Sequence, residues 1–403
     1  MRHQNSVFHS MLKYLPWDCV ERSVEKHGAD GLSRKLDTKC HLIALLYGQL
    51  SGATSLREIV TGMASHQTRL YHLGTGPVKR STLSDANAQR PWQVFGDVFA
   101  ALLKQAHRGL RRATADAVRL IDSTTIPLSS LSADWATFST EVFGVKAHIV
   151  YDPQTDQPIY FAVTTSKVND ITAAKAMPIE PGATYIFDLG YYDYGWWATL
   201  DQAGCRIVTR LKANTPFAMI EDRPVSPGSS VVSDRTGHLP KRLAASRRNP
   251  MSGLVREVQV VLDSGKILRI FTNDLTASAQ EIADLYKRRW AIELFFRWVK
   301  QTLKISHFFG ASENAVRLQI TVALIAFILL RLAQQASKTV KGQLVFANLI
   351  RLNLMHRRPI AGLLHTPPPR SEPQARFDFG PSATRAAWHR RNQRARHVVE
   401  RAA

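Results

Sequence analysis

Three acidic side chains occupy positions in the sequence from which they could jointly hold metal ions. Asp122 and Asp188 each end an apolar run that predicts a β-strand, and Glu293 lies on the polar edge of a predicted helix. Either aspartate alone could be a simple turn residue. Three convergent carboxylates would instead suit hard divalent cations. Two such ions about 4 Å apart promote displacement at a phosphodiester, so the acids predict that chemistry.

The helix predicted from Tyr286 to Lys300 presents Glu293 among a phenol and two cations. Tyr286, Arg289, Glu293 and Lys300 have the spacing i, i+3, i+7 and i+14, which places them within roughly 60° of one another around one helix. An adjacent apolar stripe predicts docking on a core through Leu285, Ile292, Phe296 and Val299. A solvated charged face is the simpler interpretation of an isolated basic helix.

The composition predicts a polyanionic partner. Lysine and arginine number 53 against 32 aspartates and glutamates, an excess of 53 − 32 = 21, and the pI is near 10.2. Such an excess favours nucleic acid over a membrane surface. The cysteines Cys19, Cys40 and Cys205 are far apart and form no zinc motif, which fits a reducing cytosol. The most apolar run, 320–330, is too short to span a bilayer and predicts a buried helix.

Around the acids, the sequence predicts the element order β-β-β-α-β followed by a fifth strand. The turn-rich segment 152–158 favours an antiparallel pairing of the second and third strands, and Asn169-Asp170 is typical of a helix cap. The predicted strands are 118–122, 143–152, 158–165, 183–188 and 205–212, with a helix over 171–177.

We expect five parts along the chain. The N-terminal part is helical and could contact DNA; it contains a capping box at Ser55-Leu-Arg-Glu58 and a helix running from Lys79 towards Lys104. The C-terminal part has eleven arginines from Arg351 onward and is expected to be a loosely attached basic arm. The parts are a helical N-terminal domain (1–112), the first part of an α/β core (113–212), a β-rich insertion (213–275), the second part of the core (276–340) and a basic tail (341–403).

These residues resemble a known family. The spacing Tyr286-x2-Arg289-x3-Glu293-x6-Lys300 is similar to the signature of the insertion-sequence transposases of the IS-four family, and Asp122 and Asp188 resemble that family's two aspartates. The resemblance covers about 117–335. It implies an RNase H-like catalytic core with a mixed five-stranded sheet, interrupted by the β-rich insertion, and an Asp-Asp-Glu catalytic centre.

The resemblance implies roles for individual residues. Asp122, Asp188 and Glu293 would bind two Mg²⁺ ions, with Mn²⁺ able to substitute. Arg289 and Lys300 would neutralise DNA phosphates, to which Tyr286 would also donate.

Four further side chains are weaker DNA-binding candidates. Trp298 could stack on an unpaired base or be a core tryptophan. Lys146 on the second strand, and Arg210 and Lys212 on the fifth, could contact phosphates. His148 on the second strand is more simply a structural histidine.

The function implied is that of a DNA transposase acting on double-stranded DNA. It would cleave at the terminal inverted repeats of its own element and join the 3′-hydroxyls to target DNA, as a homodimer on paired ends. Such a protein would be cytoplasmic, nucleoid-associated and bacterial, with no membrane partner. The alternatives are a structure-selective nuclease on the same core and an inactive DNA-binding protein.

Overall fold

The N-terminal third of the protein is helical, as the sequence predicted. The computed structural model describes residues 5–31, 35–108, 117–139, 142–242, 248–303, 307–339 and 341–364. The first helices are α1 (Val7–Leu12), α2 (Trp17–His27), α3 (Thr38–Ser51), α4 (Leu56–Ala64), α5 (Gln67–Leu70), α6 (Arg80–Gln89) and α7 (Gln93–Arg108).

Local capping explains two boundaries of these helices. Ser55 accepts a hydrogen bond from the Glu58 N–H at the start of α4, as predicted, while the Glu58 carboxylate accepts from the backbone N–H of Thr54. The single helix predicted from Lys79 towards Lys104 is wrong. Pro91 disfavours helical geometry at Arg90, which is extended (φ −73°, ψ 125°), so the segment forms α6 and α7 instead.

A mixed sheet forms the centre of the fold. Its strands are β1 (Val118–Pro127), β2 (Thr137–Ser139), β3 (Val142–Asp152), β4 (Gln157–Thr165), β5 (Thr184–Ile186), β6 (Arg206–Arg210), β7 (Ala218–Arg223), β8 (Val231–His238), β9 (Val255–Val261) and β10 (Ile267–Thr272). The five central strands have the order β4-β3-β1-β5-β6. In this order β1, β3 and β4 are antiparallel, while β1, β5 and β6 are parallel. This is the predicted RNase H-like arrangement.

The β-rich segment before the glutamate helix extends the same sheet. β10 pairs antiparallel with β6, and β9, β8 and β7 follow outward in that order. Within the segment 213–275, which the sequence predicted to be β-rich, β9 and β10 form an antiparallel pair. Short helices connect the core strands: α8 (Ala133–Ala136), α9 (Asp170–Lys175) and α10 (Tyr194–Gln202).

The helix predicted over Tyr286–Lys300 is interrupted. α11 (Ala279–Lys287) ends before Arg288, and α12 (Trp290–Thr302) begins after Arg289. Between them, the Arg289 N–H donates to the Tyr286 carbonyl and the Ile292 N–H to the Arg289 carbonyl, both i→i−3 bonds. Such bonds tighten the helix locally, so the signature spans a turn between two helices.

One long helix joins the N-terminal layer to the sheet. α13 (Glu313–Ala336) contains the predicted buried segment and contacts α3, α6 and α7, and these helices belong to one hydrophobic cluster with β1 and α12. Among the described residues, α13 has the length and composition of a membrane span, but 83% of its apolar window is buried inside the protein. It is therefore a core helix.

The described part of the predicted tail is folded up to Leu364. α14 (Gln343–Asn353) buries Phe346, Ala347 and Ile350 and packs on α3 and α13. The arginine-rich remainder, 365–403, lies outside the described residues.

Candidate active site

The backbone of the sheet aligns the two predicted aspartates. Asp122 lies two residues beyond Leu120 and Asp188 two residues beyond Ile186, and Leu120 pairs with Ile186 in the parallel β1–β5 register. Because side chains alternate along a strand, both acids leave the same face. The sequence predicted Asp122 at the end of a strand. In the structure it lies within β1, because β1 continues alongside β3 to Pro127.

Arg289 links the third predicted acid to the first. Its guanidinium lies 2.6 Å from Glu293 Oε1 and 3.8 Å from Asp122 Oδ2. α12 packs on β1, which brings Glu293 to the sheet although it is more than 170 positions from Asp122 in the chain. The structure therefore gathers Asp122, Asp188 and Glu293 at one place.

The electrostatics of Asp122 show that this place has excess negative charge. The pKa of Asp122 is raised to about 6, mainly by burial and also by the negative charges of Asp188 and Glu293, although the Ser123 N–H and the Arg289 guanidinium act to lower it. The Ser123 N–H donates to Asp122 Oδ1 at 2.8 Å. A buried carboxylate beside two other acids has a strong tendency to bind a cation or a proton.

The donor set fits a divalent cation, although the side chains are not arranged around one. Within the described ranges, no three carboxylate, histidine or cysteine side chains are grouped closely enough to hold an ion as they stand. The Arg289 guanidinium instead lies between Asp122 and Glu293 and supplies the positive charge. Carboxylate oxygens are the ligands that hard ions prefer, and Asp122, Asp188 and Glu293 are the residues that could provide them.

Two other residues of the signature lie beside the acids. Tyr286 is 9% exposed, and burial raises the pKa of its phenol, while the Arg289 and Arg210 charges lower it. The Arg289 guanidinium lies 5.8 Å from the Tyr286 ring centre. Lys300 donates to the backbone carbonyl of Thr125 on β1 at 2.9 Å, and burial lowers the pKa of its ammonium. Tyr286 therefore lies near Asp188 from α11, while Lys300 of α12 contacts β1 three residues beyond Asp122.

The weaker candidates have other partners in the structure. The Trp298 ring meets Phe327 of α13 edge-on, with ring centres 5.1 Å apart, as a core tryptophan does. Lys212 places its ammonium 4.5 Å from the ring centre of Tyr192. Arg210 lies near enough to Tyr286 to affect the pKa of its phenol.

The Lys146 ammonium is engaged inside the protein. It donates to the Val168 carbonyl and to Asp170 Oδ1, each at 3.1 Å. The neighbouring His148 is fully buried and bonds to the Thr164 hydroxyl at 2.8 Å, and burial lowers the pKa of its imidazole to about 4. These contacts fit the structural interpretation of His148.

The sequence interpretation missed a fourth carboxylate at the site. Asp170 was interpreted with Asn169 as a helix cap, but Asn169 makes no side-chain capping bond to α9. Asp170 Oδ1 instead accepts from the Ser123 hydroxyl at 2.8 Å. The buried Tyr191 lies near the same acids. Burial strongly raises the pKa of its phenol, and the negative charges of Asp122, Asp170 and Asp188 raise it as well. No local sequence signal distinguishes Asp170 from a capping aspartate.

Comparison with known proteins places these residues in a family context. Residues 113–329 match the family described as "Transposase DDE domain", and residues 3–76 match a domain of unknown function, DUF4372. A protein of Sinorhizobium fredii named as a transposase is 41% identical over 290 residues, covering 71% of this chain and 80% of the relative. A Geobacillus stearothermophilus protein, named as a transposase for insertion sequence element IS5377, is 30% identical over 339 residues, covering 78% of this chain and 87% of that one.

Among solved structures, the chain is similar to a piggyBac transposase in a synaptic complex with hairpin DNA. The TM-score is 0.47 at 11% sequence identity, and the match covers 92% of this chain and 84% of the other.

Proposed function

The chain belongs to the family of insertion-sequence DDE transposases, and from this premise we propose that it cleaves the ends of its own element and joins the freed 3′-hydroxyls to target DNA. It is a DNA transposase, a metal-dependent polynucleotidyl transferase. The observation that most supports our assignment of the active site is that Arg289 pairs with both Asp122 and Glu293, while Asp188 lies close enough to Asp122 to raise its pKa.

We propose that these three carboxylates are the catalytic acids. DDE transposases generally use divalent metal ions, and here Asp122, Asp188 and Glu293 would hold two Mg²⁺ ions, with Mn²⁺ able to substitute. Bound there, the ions would supply a nucleophile at neutral pH and stabilise the leaving oxygen at the scissile phosphodiester. Asp122 lies on β1 and Asp188 two residues after the neighbouring β5, so the sheet brings these two acids together, while Glu293 approaches from α12.

The cationic residues of the signature would bind the DNA backbone next to the acids. Arg289 pairs with Asp122 and Glu293 in the protein alone, and cations binding to these acids would release its guanidinium. The released guanidinium can then bind a phosphate through two hydrogen bonds. Tyr286 and Arg210 lie on the same side of the site and would assist. Lys300 would contribute a point charge near Thr125.

The arrangement of DNA follows from the reaction. Two ends of one element must be cut and joined together, so we propose a homodimer that holds two terminal inverted repeats and the target duplex. The net charge of +21 provides the general attraction to DNA. The helical N-terminal layer, which contains the DUF4372 match, is proposed to contact DNA outside the active site. We propose that the protein acts in the bacterial cytoplasm at the nucleoid.

The experiment combines a cleavage assay with a joining assay. Labelled duplexes containing the element's end are incubated with the protein, Mg²⁺ and a supercoiled target, and both nicked and joined products are measured. We expect Asp122→Asn, Asp188→Asn and Glu293→Gln each to reduce cleavage at least about a thousandfold while DNA binding persists.

A matched control separates loss of catalysis from loss of an ion pair. Glu293 pairs with Arg289, four positions away. Glu313, at the start of α13, pairs in the same way with Arg317. Glu313→Gln should therefore cleave at the wild-type rate. Full cleavage by Asp188→Asn would overturn the active-site assignment, and cleavage without any joined product would favour a nuclease.

A further inference from the structure

Asp170 connects the segments that contain the two proposed catalytic aspartates. Its Oδ1 accepts from the Ser123 hydroxyl at 2.8 Å, and Ser123 directly follows Asp122 in β1. Its Oδ2 lies next to Gly190, two residues after Asp188, where a Cβ atom would be 3.2 Å from Asp170 Oδ2 and 3.0 Å from Asp188 Oδ1. One carboxylate on α9 thus contacts a neighbour of each aspartate.

The contacted residues are those whose backbone holds the aspartates. The Ser123 N–H donates to Asp122 Oδ1, and the Gly190 N–H donates to Asp188 Oδ1, each at 2.8 Å. Moving either amide would move the carboxylate bonded to it. A side chain at Gly190 would bring a Cβ into tight contact with both carboxylates, so either the Asp170 or the Asp188 side chain would have to shift by a few tenths of an ångström.

The Lys146 ammonium holds Asp170 in turn, and the neutral His148 ring lies nearby. The Lys146 ammonium binds Asp170 Oδ1 and the Val168 carbonyl, so it fixes the loop between β4 and α9 to β3. His148 Nδ1 lies 3.8 Å from the same oxygen, from the same strand. The Asp170 side chain is 24% exposed, and the Lys146 side chain is 19% exposed. The link therefore runs from β3 through Asp170 to the backbone beside both aspartates.

From this geometry, and resting on the proposed function, we propose that Asp170 is a positioning residue that sets the separation of Asp122 and Asp188 for divalent-metal binding. It acts through Ser123 and Gly190 and is not itself a metal ligand. Lys146 takes part in this positioning. Its role is to neutralise and orient Asp170 rather than to contact a DNA phosphate. Partners of this kind around metal-binding carboxylates typically affect metal affinity or activity 10–100-fold.

The test measures metal binding without DNA and cleavage with DNA. Mn²⁺ is titrated into the protein alone and the free ion is followed by electron paramagnetic resonance; cleavage of end duplexes is then measured over a range of Mg²⁺ concentrations. We expect Asp170→Ala to weaken Mn²⁺ binding about tenfold and to raise the Mg²⁺ concentration for half-maximal cleavage by a similar factor, with much of the rate recovered at high Mg²⁺. Asp170→Asn, which can still accept from Ser123, should show a smaller effect.

Two milder variants cover the case in which Asp170→Ala fails to fold. Ser123→Ala removes only the hydroxyl that joins β1 to Asp170, and Gly190→Ala places a Cβ in tight contact with the Asp170 and Asp188 carboxylates. Both should raise the half-maximal Mg²⁺ concentration. Asp97→Asn is the matched control. Asp97 accepts from a serine and a lysine, Ser23 and Lys26, as Asp170 does, and also pairs with His27, but it lies between α2 and α7. It should leave the metal dependence unchanged.

The outcomes separate this inference from the proposed function. Wild-type Mn²⁺ affinity and Mg²⁺ dependence in folded Asp170→Ala would overturn the positioning role. So would an Asp170→Asn protein as inactive as Asp122→Asn at every Mg²⁺ concentration, because that result would make Asp170 a ligand. Undiminished cleavage by Asp122→Asn would instead overturn the active-site assignment itself.

Discussion

Asp122 in β1 and Asp188, which lies two residues after the end of β5, occupy matching positions beyond the paired residues Leu120 and Ile186. The parallel pairing of β1 and β5, about 4.8 Å apart, brings the two acids to the same edge of the sheet, where we propose that Asp170 sets their exact separation. Glu293 has no such restraint, because α12 reaches the sheet through side-chain packing. The site thus combines two acids fixed by the backbone with a third that can adjust.

Removing the charge of Asp122 should stabilise the protein while abolishing cleavage. Burial raises the pKa of Asp122 from 3.8 to about 6 in the folded state, so the folded protein binds the proton more tightly than the unfolded chain does. The ionised group therefore costs stability as pH rises from about 4 to 6, and the full cost remains above 6. We expect Asp122→Asn to raise the free energy of unfolding at pH 7.5 without metal by about 1–3 kcal/mol.

Urea unfolding at several pH values, in the presence of a chelator, measures this effect. The gain should shrink below pH 6 and vanish near pH 4, where the wild-type carboxyl is itself protonated. An Asp122→Asn protein that is less stable than wild type at pH 7.5 would contradict the electrostatic account.

Arg289→Gln should separate metal binding from DNA cleavage. In the protein alone, the guanidinium pairs with Asp122 and Glu293 and competes with cations for them. Its removal leaves these carboxylates less compensated, so we expect Mn²⁺ to bind several-fold more tightly without DNA. Cleavage should nevertheless fall about 100-fold, because a guanidinium hydrogen-bonded to the reacting phosphate is lost. Weaker Mn²⁺ binding in this variant would show that Arg289 does not compete at the acids.

Trp298 should behave as a core residue. Its ring packs against Phe327 of α13, so Trp298→Phe keeps an aromatic contact, while Trp298→Ala leaves a cavity. We expect Trp298→Ala to lower the free energy of unfolding by about 3 kcal/mol and Trp298→Phe by about 1 kcal/mol. Binding and cleavage of end DNA by Trp298→Phe should match wild type. A folded Trp298→Phe protein with cleavage reduced tenfold or more would instead indicate stacking on a base.

The N-terminal layer should lose stability in mild acid through His41. This histidine is fully buried and bonds to the Asn87 side chain, and burial lowers the pKa of its imidazole from 6.5 to about 3, an effect to which Arg90 adds. The unfolded chain therefore takes up the proton first, so the stability contributed by neutral His41 is present above pH 6.5 and is lost progressively as pH falls from 6.5 towards 3.

A comparison of variants identifies this contribution. The slope of unfolding free energy against pH between 6.5 and 4.5 should be smaller in His41→Gln than in wild type, as measured by urea unfolding. His27→Gln serves as the control, because His27 lies on α2 and is only partly buried. An unchanged slope in His41→Gln would refute the account.

The sequence alone determined the chemistry of the site and the order of elements. The apolar runs ending at Asp122 and Asp188 and the spacing of Tyr286, Arg289, Glu293 and Lys300 are local features, as are the runs that become β3 and β4. The capping of α4 by Ser55 is local as well. Such signals are readable because they depend on residues within a few positions of one another.

Only the tertiary structure decided which side chains meet. Arg289 between Asp122 and Glu293, Lys300 on the Thr125 carbonyl 175 positions away, and Ser123 on Asp170 47 positions away are contacts between distant segments. Local periodicity is the same whether a lysine faces solvent or a backbone carbonyl of a distant strand. Register and packing fix these partners, because the free energy of the whole core selects them.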